Sequence, residues 1–310
     1  MPFRLVPDGT KIPFMRGRIL GLVVSAVLSI ASVVLFFYPG MNYGIDFKGG
    51  ILLEVRTPAP ADFAEMRAAI SQAGVGEAAL QQFGSPTEVL VRMEAHEDEA
   101  QQQRNVAAVR AALEQAMPGA RIVRTEAVGG RVSAELFAAG MTALGMSLIA
   151  ILLYIWFRFE WQFGVGAVVT LVLDVTKAVG FLAITRIEFD LATVAALLTI
   201  IGYSVNDKVV VYDRMRENLR KYKTMPLREL IDLSINETLA RTIGTSATAF
   251  LAVLPLALLT TGSVEGFAWT MLFGIVVGTS SSIFIAAPIL LFLGENRLRR
   301  GTEAPAAAPG

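Results

Sequence analysis

The chain has 310 residues, of which 54% are hydrophobic and only 17% charged, with 27 basic and 27 acidic side chains and a net charge of zero. Mean hydropathy is +0.56, and soluble domains carry about 25% charged residues, so this composition describes a membrane protein. The neutral balance argues against a nucleic-acid partner, and the absence of cysteine excludes disulfide and thiol chemistry.

After a short N-terminal segment (1–18), residues Ile19–Tyr38 form an uncharged apolar run of 20 residues, the length that crosses a hydrocarbon core of about 30 Å. It is too long for a signal-peptide core and has no small-residue cleavage site, so it reads as an uncleaved first span. From 39 to 132 charges of both signs return and apolar residues become periodic. Gly44–Arg56 alternates like a strand, Ala61–Gln72 has helical spacing, Val89–Met93 reads as a strand, Gln101–Ala116 as a helix and Arg121–Val128 as a strand. This β-α-β-α-β order predicts a small α+β domain. The acidic stretch Glu94–Glu99 reads as an exposed loop, and the single histidine, His96, as a surface residue within it rather than a metal ligand.

Five further spans are expected within 133–294, at about 135–157, 163–184, 190–212, 242–261 and 267–293, with a long loop at 213–241 and a disordered tail at 295–310 rich in Ala and Pro. Arg4, Lys11, Arg16 and Arg18 precede the first span. Arg214, Arg216, Arg220, Lys221, Lys223, Arg228 and Arg241 fall in the long loop, and Arg297, Arg299 and Arg300 follow the last span, whereas the opposite turns hold only Arg186. The excess of Lys and Arg on one side predicts that both termini are cytoplasmic and that the 39–132 domain lies outside.

Ionisable residues inside spans are expensive, by roughly 2.5–3.5 kcal/mol on insertion scales, and mark functional sites by default. Asp174 is midway along the third span with Lys177 three residues on, on the same helical face. The pair serves either as a fixed ion pair between helices or as part of an ion path. In the fourth span Asn206, Asp207 and Lys208 are adjacent, and Thr199, Tyr203, Asn206 and Asp207 share one stripe. Asp207 lies six residues inside Asp213, roughly 9 Å along a helix. A carboxylate held between burial and a neighbouring cation is suited to load and release a proton. Lys208 points about 100° away from Asp207, toward another helix or the membrane surface. Arg241 opens the fifth span, with Thr245 and Thr248 on its stripe and Thr242 and Ser246 beside it. It is a candidate partner for Asp207, or else an interfacial arginine. Asp213 and Arg214 are candidates for tuning the group. Gly274 and Gly278 form a Gly-x-x-x-Gly, read as close helix packing. Gly44–Gly50 lacks the Gly-Lys-Ser/Thr ending of a phosphate loop, and no catalytic or metal-binding constellation is visible.

Three stretches carry a family resemblance: Asn42-Tyr43-Gly44-Ile45-Asp46-Phe47-Lys48-Gly49-Gly50, then Trp156-Phe157-Arg158-Phe159-Glu160-Trp161, then Ile201-Gly202-Tyr203-Ser204-Val205-Asn206-Asp207 with Asp213-Arg214-Met215-Arg216-Glu217-Asn218. From about residue 14 to 294 the chain resembles the SecF family, the smaller membrane subunits of the bacterial SecDF protein-export complex, within the resistance-nodulation-division (RND) transporter superfamily. The resemblance implies a polytopic α-helical fold, with six spans forming half of an RND-type bundle and a periplasmic ferredoxin-like domain between helices 1 and 2. It implies a multi-pass inner-membrane protein, and the lack of a catalytic constellation in the sequence argues against an enzyme. SecD is the expected heterodimer partner, the SecYEG translocon and YajC are further partners, and an unfolded exported polypeptide is the cargo. No cofactor is implied, the proton gradient supplying the energy. The family's proton-path residues fall on Asp207 and Arg241, with Asp174 nearby. The chain departs from the family where many relatives have His-Asp and Leu173-Asp174 stands here, and where Lys177 and Lys208 occupy positions more often uncharged. Two other classes are an RND-type small-molecule exporter, for which a single six-span unit and a domain of under 100 residues are small, and a passive scaffold stabilising the translocon.

Overall fold

The computed structural model describes residues 7, 10–75, 78–94 and 99–293. His96 and the tail from 294 onward, including Arg297, Arg299 and Arg300, lie outside the described residues, as do Arg4 and most of the acidic stretch. The chain divides into two units, one of residues 1–42, 143–188 and 192–310 and the other of residues 43–142 and 189–191.

The helical unit begins with a 3₁₀ turn at Phe14–Gly17 that runs into α1 (Arg18–Leu35) and a π-turn at Phe36–Gly40. Ser25, Ser29 and Ser32 form the buried face of α1 at i, i+4 and i+7, while most of its Val, Leu and Ile side chains are exposed, the reverse of a soluble helix and the arrangement lipid favours.

The smaller unit is a four-stranded antiparallel sheet covered by two helices, with a single helical turn ahead of its first strand. The order of its elements is a short α2 (Ile45–Lys48), β1 (Gly50–Arg56), α3 (Phe63–Gln72), β2 (Ala78–Phe83), β3 (Ser85–Met93), α4 (Glu99–Ala116) and β4 (Arg121–Val128). The sheet order is β2-β3-β1-β4, the arrangement of a ferredoxin-like β-α-β-β-α-β unit. Ile51, Leu53 and Val55 alternate onto the buried face of β1, opposite Met93, Val91 and Val89 of β3, and are covered by Met66 and Ile70 of α3 with Val109 and Leu113 of α4. Asp62 caps α3 by accepting from the Ala64 and Glu65 amides at 2.8 and 3.2 Å, satisfying two of the orphan donors of its first turn.

Two sequence expectations change here. Residues 45–48 are helical rather than part of a strand, and β1 begins only after Gly49, whose φ of +71° turns the chain. Gly50 also has positive φ, +138°, and a Cβ there would lie 2.8 Å from the Met93 carbonyl. β2 was not expected, because Ala-Ala-Leu-Gln-Gln-Phe lacks the β-branched residues that signal a strand; its register with β3 forms it instead. At the edge of this unit, Asp46 Oδ2 accepts from the Leu191 amide at 3.0 Å, and Phe47 packs on Phe137 and Phe189.

The remaining helices are α5 (Gly130–Arg158), α6 (Trp161–Thr185), α7 (Leu191–Lys221), α8 (Leu227–Leu259) and α9 (Ser263–Ser281), which continues through a π-turn at Ser282–Ala286 into α10 (Ala287–Leu293). With the α1 segment, six helices among the described residues are long and apolar enough to cross a membrane. α6, α7 and α9 are the more buried three; α1, α5 and α8 are mostly exposed on their apolar stretches. Gly274 and Gly278 of α9 meet Ile200 and Ser204 of α7, so closely that a Cβ at Gly274 would overlap Ile200.

The expected loop at 213–241 is instead two helical extensions joined by a short connection at 222–226. The physical reason is that its polar residues hide an apolar stripe. Met215, Leu219, Leu227, Leu230, Ile231, Ile235 and Leu239 are buried together, and Asn218 bridges to Ser234 and Glu237 at 2.9 and 2.7 Å. The N-terminal segment is held to this hairpin, with Asp232 accepting from the Met15 amide at 2.8 Å and Asn236 both accepting from and donating to the Ile12 backbone at 2.9 Å.

Candidate functional site: a buried charge cluster

Helical spacing places Ser204 and Lys208 (i, i+4) on the same face of α7, with Asp207 beside them, and Asp174 and Lys177 (i, i+3) on one face of α6. Asp174, Asp207 and Lys208 are 1%, 2% and 1% exposed, and Lys177 is 5% exposed. Asp174 is the hub. Its Oδ2 accepts from the Lys208 ammonium at 3.0 Å and from the Ser204 and Ser281 hydroxyls at 2.7 Å each. Its Oδ1 faces Lys177 Nζ at 3.5 Å and has no hydrogen bond. Lys208 also donates to the Ser204 hydroxyl and, at 3.3 Å, to the Ser281 hydroxyl. α6, α7 and the end of α9 are thus tied at one carboxylate oxygen.

Asp207 is a separate carboxylate next to this hub. The Thr279 hydroxyl of α9, which donates to its own Ile275 carbonyl at 2.7 Å, stands beside it, while its Oδ2 is buried without a partner. Thr279 in turn bonds Ser246 of α8 at 2.7 Å, and Ser246 accepts from Tyr203 at 2.8 Å. A chain of hydroxyls therefore links Asp207 to α8. Counting Asp174, Asp207, Lys177 and Lys208, the buried group is neutral when all four are ionised. Adding one proton to either carboxylate leaves an excess positive charge in a medium where charges interact strongly. Such a group distinguishes sharply between its protonation states.

The structure sorts the expected residues. Asp174 and Lys177 do pair, and Lys208 serves another helix. Asp207 and Arg241 are not brought together: Arg241 is exposed on α8, and Asp207 meets Thr279 instead. The stripe on α8 splits because Thr242 and Ser246 turn inward while Arg241, Thr245 and Thr248 turn outward, one residue being 100° of helix. The stripe on α7 splits the same way, Asp207 inward and Thr199 and Asn206 outward. Asn206 therefore does not join the cluster. Nor do Asp213 and Arg214, which the helical extension of α7 carries beyond it. Asp213 pairs with Arg158 at 3.0 Å, and Arg214 with Glu217 at 2.6 Å and Glu237 at 2.8 Å. Ser204, Ser281 and Thr279 were missed as site residues. Ser204 stands four residues before Lys208, a usable signal, but nothing local in Thr279–Ser282 separates a hydroxyl that bonds a carboxylate from one that bonds its own helix.

Six potential spans, a ferredoxin-like domain inserted after the first, and ion pairs buried among the later helices define a polytopic membrane protein of the transporter kind. A family model described as protein export membrane protein SecD/SecF, C-terminal, matches residues 108–296, and one for the SecD/SecF GG motif matches residues 34–57, which include Gly49 and Gly50. The chain is 43% identical over 297 residues to the protein translocase subunit SecF of Rickettsia akari, covering 96% of each chain. It is 44% identical over 300 residues to that of Rickettsia rickettsii, covering 96% of this chain and 97% of the relative. Among solved structures, it superposes on SecDF from Thermus thermophilus, a translocon-associated membrane protein, with a TM-score of 0.84 and 33% identity over 94% of this chain, and spans 40% of that longer chain. SecDF in a super-membrane-facing form matches with a TM-score of 0.67 and 31% identity, 97% of this chain and 41% of the other. The chain belongs to the SecF family of protein-export membrane proteins.

Proposed function

We propose that the chain is the SecF-type half of a SecDF export device in the bacterial inner membrane. In this reading it pairs with SecD, works with the SecYEG translocon and YajC, and uses the proton motive force to assist late-stage export of unfolded polypeptides. Both termini lie in the cytoplasm, the ferredoxin-like domain lies outside, and no cofactor is needed because the proton gradient is the energy source. The observation that carries the coupling is the neutral, fully buried group of Asp174, Asp207, Lys177 and Lys208, whose charge balance a single proton upsets. One charge moved through 100 mV releases about 2.3 kcal/mol, enough to bias a two-state equilibrium by about fifty-fold.

The outward polar faces of α7 (Thr199, Asn206) and α8 (Arg241, Thr245, Thr248) support a second bundle as the neighbour. Lipid does not cover an arginine readily, whereas SecD would. Arg241 then acts across that interface rather than on Asp207 directly.

The test is export of a reporter polypeptide into vesicles holding SecD with wild-type or Asp207→Asn chain, after ATP is removed, with and without an imposed proton gradient. Co-purification of SecD checks assembly. A gradient that speeds completion only with wild-type chain supports coupling through Asp207. An equal response in both variants sinks it and favours a scaffold.

A further inference from the structure

The motif Trp156–Trp161 contributes nothing to the buried cluster, yet it builds a site of its own. α5 has 29 residues, about 43 Å of helix against a hydrocarbon core of about 30 Å, so its C-terminal Arg158 stands at headgroup level. Around it Trp156, Phe157 and Trp161 are 77%, 95% and 52% exposed. Aromatic rings in that position belong to the membrane–water boundary.

Beside these rings is a cavity of about 640 Å³ lined by Arg158, Asp213, Arg216, Glu217, Arg220 and Lys221. Four cations face two carboxylates, and the carboxylates leave donors over. Arg158 uses a single terminal nitrogen on Asp213, at 3.1 and 3.0 Å. Arg216 stands 3.9 Å from both Asp213 and Glu160, beyond hydrogen-bond reach of either. Glu217 is engaged by Arg214, which is not part of the lining. The lining carries no apolar centre of the kind a protein interface uses. A concave site at phosphate depth, with surplus guanidinium donors and rings at its rim, matches a lipid headgroup.

We propose that this cavity binds the phosphate headgroup of an anionic phospholipid, with the acyl chains lying along Trp156, Phe157 and Trp161. Arg216 and Arg158 hold the phosphate, and Arg220 and Lys221 supply the long-range attraction. The proposal goes beyond the export reading and does not depend on it.

The full chain carrying Trp269→Phe has only Trp156 and Trp161 as indole reporters. It is reconstituted in phosphatidylcholine vesicles with increasing fractions of brominated phosphatidylglycerol or brominated phosphatidylcholine, and quenching is measured. The expected result is an anionic preference of about tenfold that weakens with salt and falls to near parity in Arg220→Gln/Lys221→Gln, from about fivefold per interfacial cation less screening. Both residues are exposed, so the fold is not at risk. Equal quenching by the two lipids in the wild-type background overturns the proposal. So does a preference that survives both this double variant and Arg216→Gln, which would leave the cavity as a docking place for a protein.

Discussion

Asp174→Asn and Lys208→Met test whether the hub is organised around Asp174. Removing one member of a buried ion pair costs about 3–5 kcal/mol, because the other charge is stranded. The two substitutions are not equivalent here. Asp174→Asn strands two ammonium groups, Lys177 and Lys208, and leaves a neutral amide oxygen where a carboxylate accepted three hydrogen bonds. Lys208→Met leaves Asp174 with Lys177 at 3.5 Å and the Ser204 and Ser281 donors, so its loss is smaller, about 1–3 kcal/mol for a charged hydrogen-bonding group. The double variant strands only Lys177 and should cost less than the sum by more than about 1 kcal/mol, the sign of direct coupling. The assay is reversible unfolding of the purified chain in mixed micelles as the denaturing detergent fraction rises, for the wild type, each single variant and the double. Asp174→Asn no more damaging than Lys208→Met, or costs that add within about 0.5 kcal/mol, would refute the arrangement.

Gly274→Val should destabilise the same micellar protein by at least about 2 kcal/mol, since its side chain must displace Ile200 across a tight helix contact; an unchanged unfolding midpoint would mean that α7 and α9 are not packed this way. Gly50→Ala combines a φ of +138° with a Cβ 2.8 Å from the Met93 carbonyl, so proteolysis of the β-sheet unit should speed up markedly, and Gly40→Ala, strained by a φ of +83° but with open space around it and outside that unit, should show the smaller effect. Burial raises the Glu160 carboxyl above its ordinary value against the pull of Arg216 and Arg220. A raised carboxylate favours folding below its unfolded value and loses that contribution as pH rises through the folded one. Glu160→Gln should therefore match wild type at low pH and unfold at an equal or higher midpoint near pH 7; a variant less stable at pH 7 would show that the arginines, not burial, dominate.

Element type was legible wherever one physical signal stood alone. The first apolar run needed no context, and neither did the alternation of β4. The expected loop at 213–241 misled because its many charges outnumber a stripe of apolar residues spaced for a helix, which only packing of α7 against α8 makes decisive. β2 misled for the opposite reason: its residues carry no strand signal, and the pairing partner β3 supplies the order. At the site, the identities of Asp174, Lys177, Asp207 and Lys208 were readable from the rarity of charge in spans. Their partners were not. A contact such as Ser281 to Asp174 joins residues 107 positions apart, and it depends on the rotation of α9 about its axis. The pairing of Asp207 with Arg241 was expected from matching stripes, yet a rotation of one residue sends one member inward and the other outward.

That split has a consequence for how a proton could do work. If Asp207 and Arg241 were joined within one bundle, protonation would break a single pair and its effect would end inside this chain. Instead the buried group is balanced on its own, and Arg241, Thr245, Thr248, Thr199 and Asn206 are left facing outward. The connection between the two sets is the hydroxyl relay from Asp207 through Thr279 and Ser246, with Tyr203 at its end. Ser246 lies on the inward face of α8, the helix whose outward face carries Arg241. A change of charge at Asp207 that reorders these hydroxyls acts on the seating of the apolar stretch of α8, which is mostly exposed, while the N-terminal half of the helix stays anchored through Leu227, Leu230, Ile231, Ile235 and Leu239. The partner bundle would feel that shift through Arg241. Ser246→Ala, which removes the relay while leaving every charge in place, should then uncouple gradient from export as fully as Asp207→Asn does, with SecD still bound. Full gradient dependence in Ser246→Ala would show that the relay carries nothing and that Asp207 acts through the lysines alone.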